Sequence, residues 1–406
     1  MSRRVVGIII AGFCTVFVAF GIRYSYGLLL PEMLSSLNIS NTEAGIIYSS
    51  YFLVYTLCSP ALGLFVDRSD ARVLLTIFVA LLGLGAFLMS YATTVVQGSL
   101  FFALAGIGHS ACWAPVVTVV LRWVHEKRRG IALSFVDLGS ASSIAFWSIM
   151  IPVIIGPYTW RSVWVFLGLS AFLAAVMDFF LVRSHPPFEA DPQAAETETK
   201  VKIPVKAAYK AIFRDKKFHL IGFSYLLISF SILIPFTFLT AYATQELMIP
   251  YKSATSLVAV IGISGAIGKL VLGHVSDIVG RLKVMMLCGI LTAAGGLGIV
   301  FAHAFMWLVL STIVFGVGYG TIWPVYAASA RDLFSEDYSG SIVGLWTLYH
   351  GSGSILAPVI SGWAIDVKGT YIWAFILTVI SSILSLLLLS PIYRAEGREP
   401  SVGSQK

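Results

Sequence analysis

The chain has 406 residues, of which 58% are hydrophobic and 12% charged, with a mean hydropathy of +0.88. A soluble domain carries roughly 25% charged residues. Half that fraction, together with apolar runs of bilayer length, excludes a soluble enzyme, a secreted disulfide scaffold and a disordered chain. The net charge of +7 and pI of 9.2 do not argue for a nucleic-acid partner, because membrane proteins gather Lys and Arg on one face to fix orientation.

Arg3 and Arg4 precede an apolar run, Val5–Leu30, that is too long for a signal-peptide core and reads as a retained helix. Eleven further runs follow: Ala44–Val66, Val73–Ala92, Gly98–Leu121, Ile131–Ile155, Val163–Val182, His219–Thr244, Ala254–Val275, Val284–Ala302, Met306–Ala330, Ser341–Ile365 and Tyr371–Ile392. Each approaches the roughly 20 residues a helix needs to cross hydrocarbon. None shows the alternation of a membrane barrel, so helices are predicted. Cys14, Cys58, Cys112 and Cys288 all lie inside these runs, without a CxxC pair, and read as small buried hydrophobes.

Twelve spans place 22 of the 27 Lys and Arg residues on the side of the termini and three, Arg161, Lys252 and Lys368, on the other. That bias predicts both termini in the cytoplasm of a multi-pass protein of the cell (inner) membrane. Arg23 and Lys269 remain within the spans. Between the sixth and seventh spans a polar stretch, Ser184–Lys217, turns from acidic to basic. It reads as a cytoplasmic linker between a six-helix half at 1–183 and a second at 218–406. Its Lys-rich part is either a helix on the membrane surface or a solvated tether.

The halves repeat one another. Gly63 and Asp67 recur as Gly273 and Asp277, 210 residues on; Gly106, Gly108, His109 and Trp113 recur as Gly316, Gly318, Tyr319 and Trp323 at the same offset. Gly130 recurs as Gly340, and Gly139-Ser-Ala-Ser faces Gly351-Ser-Gly-Ser with a two-residue slip. Matches at one offset across an even number of spans indicate duplicated halves in parallel orientation, an architecture of transporters.

With Gly63-Leu-Phe-Val-Asp67-Arg68 after the second span and Gly273-His-Val-Ser-Asp277-Ile-Val-Gly280-Arg281 after the eighth, the chain resembles the major facilitator superfamily. The first copy departs from the usual pattern, with Asp70-Ala71 in place of Gly-Arg. A narrower likeness runs through Gly21-Ile-Arg23-Tyr-Ser-Tyr-Gly27, Arg122-Trp123, Arg128-Arg129-Gly130 and Tyr158-Thr-Trp160-Arg161. These are similar to the bacterial branch of monocarboxylate transporters and oxalate/formate exchangers. The resemblance implies an all-α membrane protein of twelve transmembrane helices in two pseudo-symmetric six-helix halves, working by alternating access as a monomer. It also implies that Asp67 meets the eleventh helix near Gly340 and Asp277 the fifth near Gly130. With Arg128, Arg129 and Arg281 these would gate the cytoplasmic side.

Residues within the spans suggest the cargo. A cation at the bilayer centre costs about 2.5–3.5 kcal/mol on insertion scales, so Arg23 and Lys269 are expected to face a cavity or to snorkel to an interface. Lys269 stands four residues before Gly273, where the first half has neutral Ser59 before Gly63. In monocarboxylate transporters that place holds a substrate-binding Arg, so the resemblance assigns Lys269 to the substrate. His109, Trp113, Tyr319 and Trp323 would line the same cavity or pack helices. Asp137 reads as a proton carrier, as the counter-ion of Lys269 in an empty cavity, or as a salt bridge near the cytoplasmic mouth. His350 is a second candidate for proton coupling, and Asp178, near Arg183, reads as structural. No Walker loop, zinc spacing, HExxH or GxSxG occurs, so no enzyme, cofactor or metal is expected. The expected function is secondary transport of a small organic anion, a monocarboxylate, with a proton or counter-anion. The alternatives are export of amphipathic drugs or metabolites, and a non-transporting membrane sensor or scaffold.

Overall fold

The computed structural model describes residues 2–66, 70–184, 212–334 and 339–396, and all regular structure among them is helical. The first six crossings are α1 (Arg3–Leu37), α2 (Asn41–Val66), α3 (Ala71–Met89), α4 (Val95–Ser110) with α5 (Ala114–Trp123), α6 (Glu126–Ile155) and α7 (Trp160–Leu181). The second six are α8 (Lys216–Ala241, continued by one π turn, Tyr242–Glu246), α9 (Tyr251–Val279), α10 (Arg281–Val300), α11 (Phe305–Leu333), α12 (Ser339–Lys368) and α13 (Ile372–Glu396). Among the described residues ten crossings are long and apolar enough to span a membrane. The 26-residue α2 and 30-residue α12 complete the twelve. The linker at 185–211, and Asp67 with its expected contact, lie outside the described residues.

Polar residues start these helices where the apolar runs begin. Thr94 accepts from Gln97 N at 3.2 Å and Asp215 from Lys217 N at 2.8 Å, each satisfying a free N-terminal amide. Asp70, the departure from the signature loop, is the N-cap of α3 and bonds to Arg72 N at 2.9 Å. It also accepts the Ser184 hydroxyl, and these bonds hold its carboxyl below the usual carboxylate range.

Two spans differ from the sequence expectation. α1 runs seven residues beyond Leu30, through Pro31, because surrounding helices bury it and support the backbone a proline would otherwise break. The fourth span is not continuous. It stops at Ser110 and restarts at Ala114, with Pro115 in the first turn of α5, where a missing N–H costs nothing. Its repeat mate α11 passes unbroken through Pro324. The duplication is therefore asymmetric at this point.

Packing between the halves is uneven along the membrane normal. At the end away from the termini, one hydrophobic cluster runs through both halves, from Tyr26, Tyr48 and Trp164 to Phe236, Tyr242 and Phe375. Near the termini the core divides in two. One cluster joins Ile8, Val120 and Val136 of the first half; the other joins Phe218, Tyr326 and Trp346 of the second. The halves thus meet at one end and part at the other. At the closed end α1 lies so close to α8 that a Cβ on Gly27 would sit 1.8 Å from the Phe236 carbonyl oxygen, which only glycine permits. Tyr251 donates to Leu28 O at 2.7 Å and Ser49 to Ile355 O at 2.6 Å, both across the halves.

The same end carries a polar clasp. The Asp366 carboxylate at the end of α12 accepts the backbone N–H groups of Asn41 (3.0 Å) and Thr42 (2.8 Å), the Asn41 amide (2.9 Å) and the Thr42 hydroxyl. A carboxylate of one half therefore caps the first turn of a helix in the other, where helix N-termini favour negative charge.

Candidate functional site

Between the parted halves lies a cavity of about 280 Å³. It brings together eight residues singled out from the sequence: Arg23, His109, Trp113, Asp137, Lys269, Tyr319, Trp323 and His350 all line it. They come from α1, α4, the α4–α5 break, α6, α9, α11 and α12, so both halves contribute.

Arg23 does not snorkel. Its side chain is buried, with the residue 8% exposed, and its guanidinium carbon lies 4.6 Å from the Phe52 ring centroid and 5.3 Å from that of Tyr24. Phe20 and Tyr55 stand at 5.8 and 5.9 Å. Aromatic faces stabilise a cation by about 0.5–2 kcal/mol. They leave its charge uncancelled. Among the described residues no carboxylate lies within ion-pair range of Arg23, and its buried Nε has no hydrogen-bond partner.

Lys269 is held differently. Its Nζ donates to Asp137 Oδ2 at 2.6 Å, joining α9 to α6 across the halves, with both side chains about one-third exposed. The two residues named from the sequence are thus paired with each other, and the Lys269 ammonium is engaged inside the cavity. The cavity therefore holds one neutralised pair and one uncompensated cation, Arg23.

A lid of aromatic rings closes the end away from the termini. Tyr24 and Tyr319, from opposite halves, face each other hydroxyl to hydroxyl at 3.3 Å. Phe236 packs on both, at 4.3 and 4.9 Å between centroids. His109 is 2% exposed and hydrogen-bonds the Tyr51 hydroxyl through Nδ1, so it braces the wall more than it faces the opening. His350 sits against Trp323 and Tyr225, and its Nδ1 is buried without a partner. Tyr24, Tyr55 and Phe236 were not singled out from sequence. The Arg23-Tyr24 adjacency was the available signal for the first, and nothing local marks the other two.

Among the described residues the expected contact of Asp277 is not formed at the open end. Asp277, predicted to meet the fifth helical span near Gly130, pairs instead with Arg281 one turn along. Arg281 also reaches Asp332 at 3.1 Å within the same half. Arg129 stays local, on Val124 O at 3.1 Å and Glu126 at 3.5 Å. The Arg128 backbone N–H donates to His125 O at 2.8 Å. A side chain at Gly130 would meet nothing within 4 Å. The reason is conformational: with the halves apart at this end, the partners are out of reach. Asp178 reads from the sequence as structural, near Arg183, but does not pair with it. It is wholly buried and takes the Thr15 hydroxyl at 2.8 and 3.0 Å, while Arg183 turns to the Phe179 and Val182 carbonyls.

Twelve crossings in two halves around a central cavity are the architecture of membrane transporters. The chain belongs to the Major Facilitator Superfamily, whose profile matches residues 12–266 and 221–405. It is 25% identical over 357 residues to Monocarboxylate transporter 12 of Xenopus laevis, covering 82% of this chain and 76% of that one. It is 24% identical over 375 residues to the Hexuronate transporter of Bacillus subtilis (strain 168), covering 87% and 86%. Its fold matches a crystal structure of a bacterial homolog of the human lysosomal transporter Spinster in an inward-facing, unoccupied conformation. That match has a TM-score of 0.80 at 14% identity, covering 97% of this chain and 98% of that one. The chain is thus a multi-pass membrane transporter, not an enzyme.

Proposed function

We propose that the protein carries a small organic anion, a monocarboxylate, across the cell membrane by alternating access, coupled to a proton or a counter-anion. The observation that carries this reading is Arg23, a buried cation at the closed end of the cavity with no carboxylate partner among the described residues. A substrate carboxylate would supply the missing charge and accept two parallel hydrogen bonds from the guanidinium. The names of the relatives, one a monocarboxylate and one a hexuronate transporter, support an organic acid. The Lys and Arg bias supports cytoplasmic termini, and with them an inward-open state; a monomer in the inner membrane belongs to the same reading.

Asp137 and Lys269 are the coupling pair in this proposal. A substrate that draws the Lys269 ammonium away leaves Asp137 as an uncompensated charge inside the membrane, and taking up a proton removes it. In liposomes, Asp137→Asn is expected to keep counterflow exchange and to lose accumulation driven by a pH gradient. Loss of both, or of neither, would reject the role. Lys269→Ala is expected to abolish saturable uptake with expression intact; uptake equal to the natural protein's would remove Lys269 from the site.

A further inference from the structure

Two indoles are left facing the cavity. Trp113 and Trp323 are repeat mates, 210 residues apart, and each half supplies one. Trp113 is 36% exposed and Trp323 39%, although both lie within membrane crossings and line the central cavity. Trp113 sits at the break between α4 and α5, and among the described residues it makes no ring contact with another aromatic side chain. Trp323 is met edge-on by His350 at 4.9 Å and at a tilt by Tyr225 at 5.9 Å. Large apolar rings wetted inside a cavity gain by being covered, and a flat π system covers them best.

The polar inventory limits what else could fill this space. Among the described residues the only acid lining the cavity is Asp137, and Lys269 holds it. A substrate ammonium group therefore has no counter-charge of its own, which disfavours amino acids. Of the lining hydroxyls, Ser140 and Ser229 donate to the Asp137 and Tyr225 carbonyls of their own helices, and those of Tyr24 and Tyr319 face each other. A polyhydroxylated acid would cover the two exposed indoles less well than a flat ring of the same size.

We infer that the cargo is a planar aromatic monocarboxylate, its carboxylate on Arg23 and its ring between the Trp113 and Trp323 walls. This rests on the anion reading above and adds the chemistry of the rest of the molecule. Ring stacking together with the added apolar area makes such an acid bind about ten-fold more tightly than a short aliphatic one.

The test is binding to the purified full-length protein, read by thermal shift and by quenching of tryptophan fluorescence, with four probes: benzoate, cyclohexanecarboxylate, propionate and glucuronate. The expected order is benzoate first, cyclohexanecarboxylate next because it has the size without the flat face, then propionate, with glucuronate weakest. Trp113→Leu and Trp323→Leu are each expected to shrink the benzoate-to-propionate affinity ratio several-fold, and Trp→Phe at either position to keep most of it. The ratio guards against a variant that is merely less stable. Cyclohexanecarboxylate equal to benzoate, glucuronate binding tightest, or a ratio unchanged in both Leu variants would overturn the inference while leaving the anion site intact. Failure of all four acids to bind would bring down the anion reading and this one together.

Discussion

Arg23→Gln is expected to reduce carboxylate affinity at least 100-fold and to abolish saturable uptake, with the protein still folded and in the membrane. The side chain has aromatic faces around it and no acid beside it, so its charge is uncompensated until an anion arrives. A charge-assisted bidentate pair in a low-dielectric site is among the strongest polar contacts available, and removing one partner strands the other. Gln is shorter, keeps one NH2 donor group and loses the charge. Arg23→Lys keeps the charge but loses the planar fork, and intermediate affinity is expected from it. Radiolabelled uptake and direct binding, normalised to protein in the membrane, check both variants. An Arg23→Gln protein that binds a carboxylate within three-fold of the natural one would show that the anion sits elsewhere. Removing a buried cation also relieves the cost of holding it in the membrane, so thermal stability without ligand is expected to hold or rise.

Asp366→Asn is expected to unlatch the closed end. Four donors on two successive residues of α2 converge on this one carboxylate. Asn offers a single acceptor oxygen and no charge, so most of the clasp is lost. Hydrogen bonds to a charged group contribute about 1.5–3 kcal/mol each when shielded and less at an exposed rim such as this one. A shift of about ten-fold in the balance between end-open states is a modest expectation, since it needs about 1.4 kcal/mol. The neighbouring network softens the effect. Tyr371 donates to Asn41 Oδ1 at 3.0 Å or to Gln245 Oε1 at 2.8 Å, and Glu246 holds Thr370 and Tyr371. Spin labels at Val96 and Met248, both exposed and on opposite halves at this end, report the change in a background lacking the four native cysteines. The natural protein is expected to give one short distance, and Asp366→Asn a second, longer one at substantial population. Identical distributions would mean that apolar packing around Gly27 and Phe236 closes this end by itself.

The clasp also shows what the sequence could and could not convey. Arg23, Asp137 and Lys269 stood out because a charge in a run of Ile, Leu, Val and Gly has no ordinary reason to be there. Trp113, Tyr319 and Trp323 emerged because duplication puts matched residues at matched depths, and the cavity collects both copies. Asp366 carried no comparable mark: it lies at a helix end, where acids are common, and its partners are more than 320 residues away. Asp277 illustrates the opposite case. Its signature loop suggests an inter-half contact, yet a sequence describes every state of a moving protein, and here that end is open. The break at Ser110–Ala114 was hidden because apolar residues continue through it, and hydropathy does not register a turn that neighbouring helices shelter.

The claim on which the rest depends is that the cavity holds one positive charge awaiting an anion. Comparing the thermal shift given by a carboxylate with that given by its primary amide, of the same shape but neutral, tests it most directly. Benzoate against benzamide, on the natural protein and on Arg23→Gln, is sufficient. Stabilisation of the natural protein by benzoate alone, lost in Arg23→Gln, is the predicted result. Equal stabilisation by acid and amide, or a benzoate effect that survives Arg23→Gln, would contradict it.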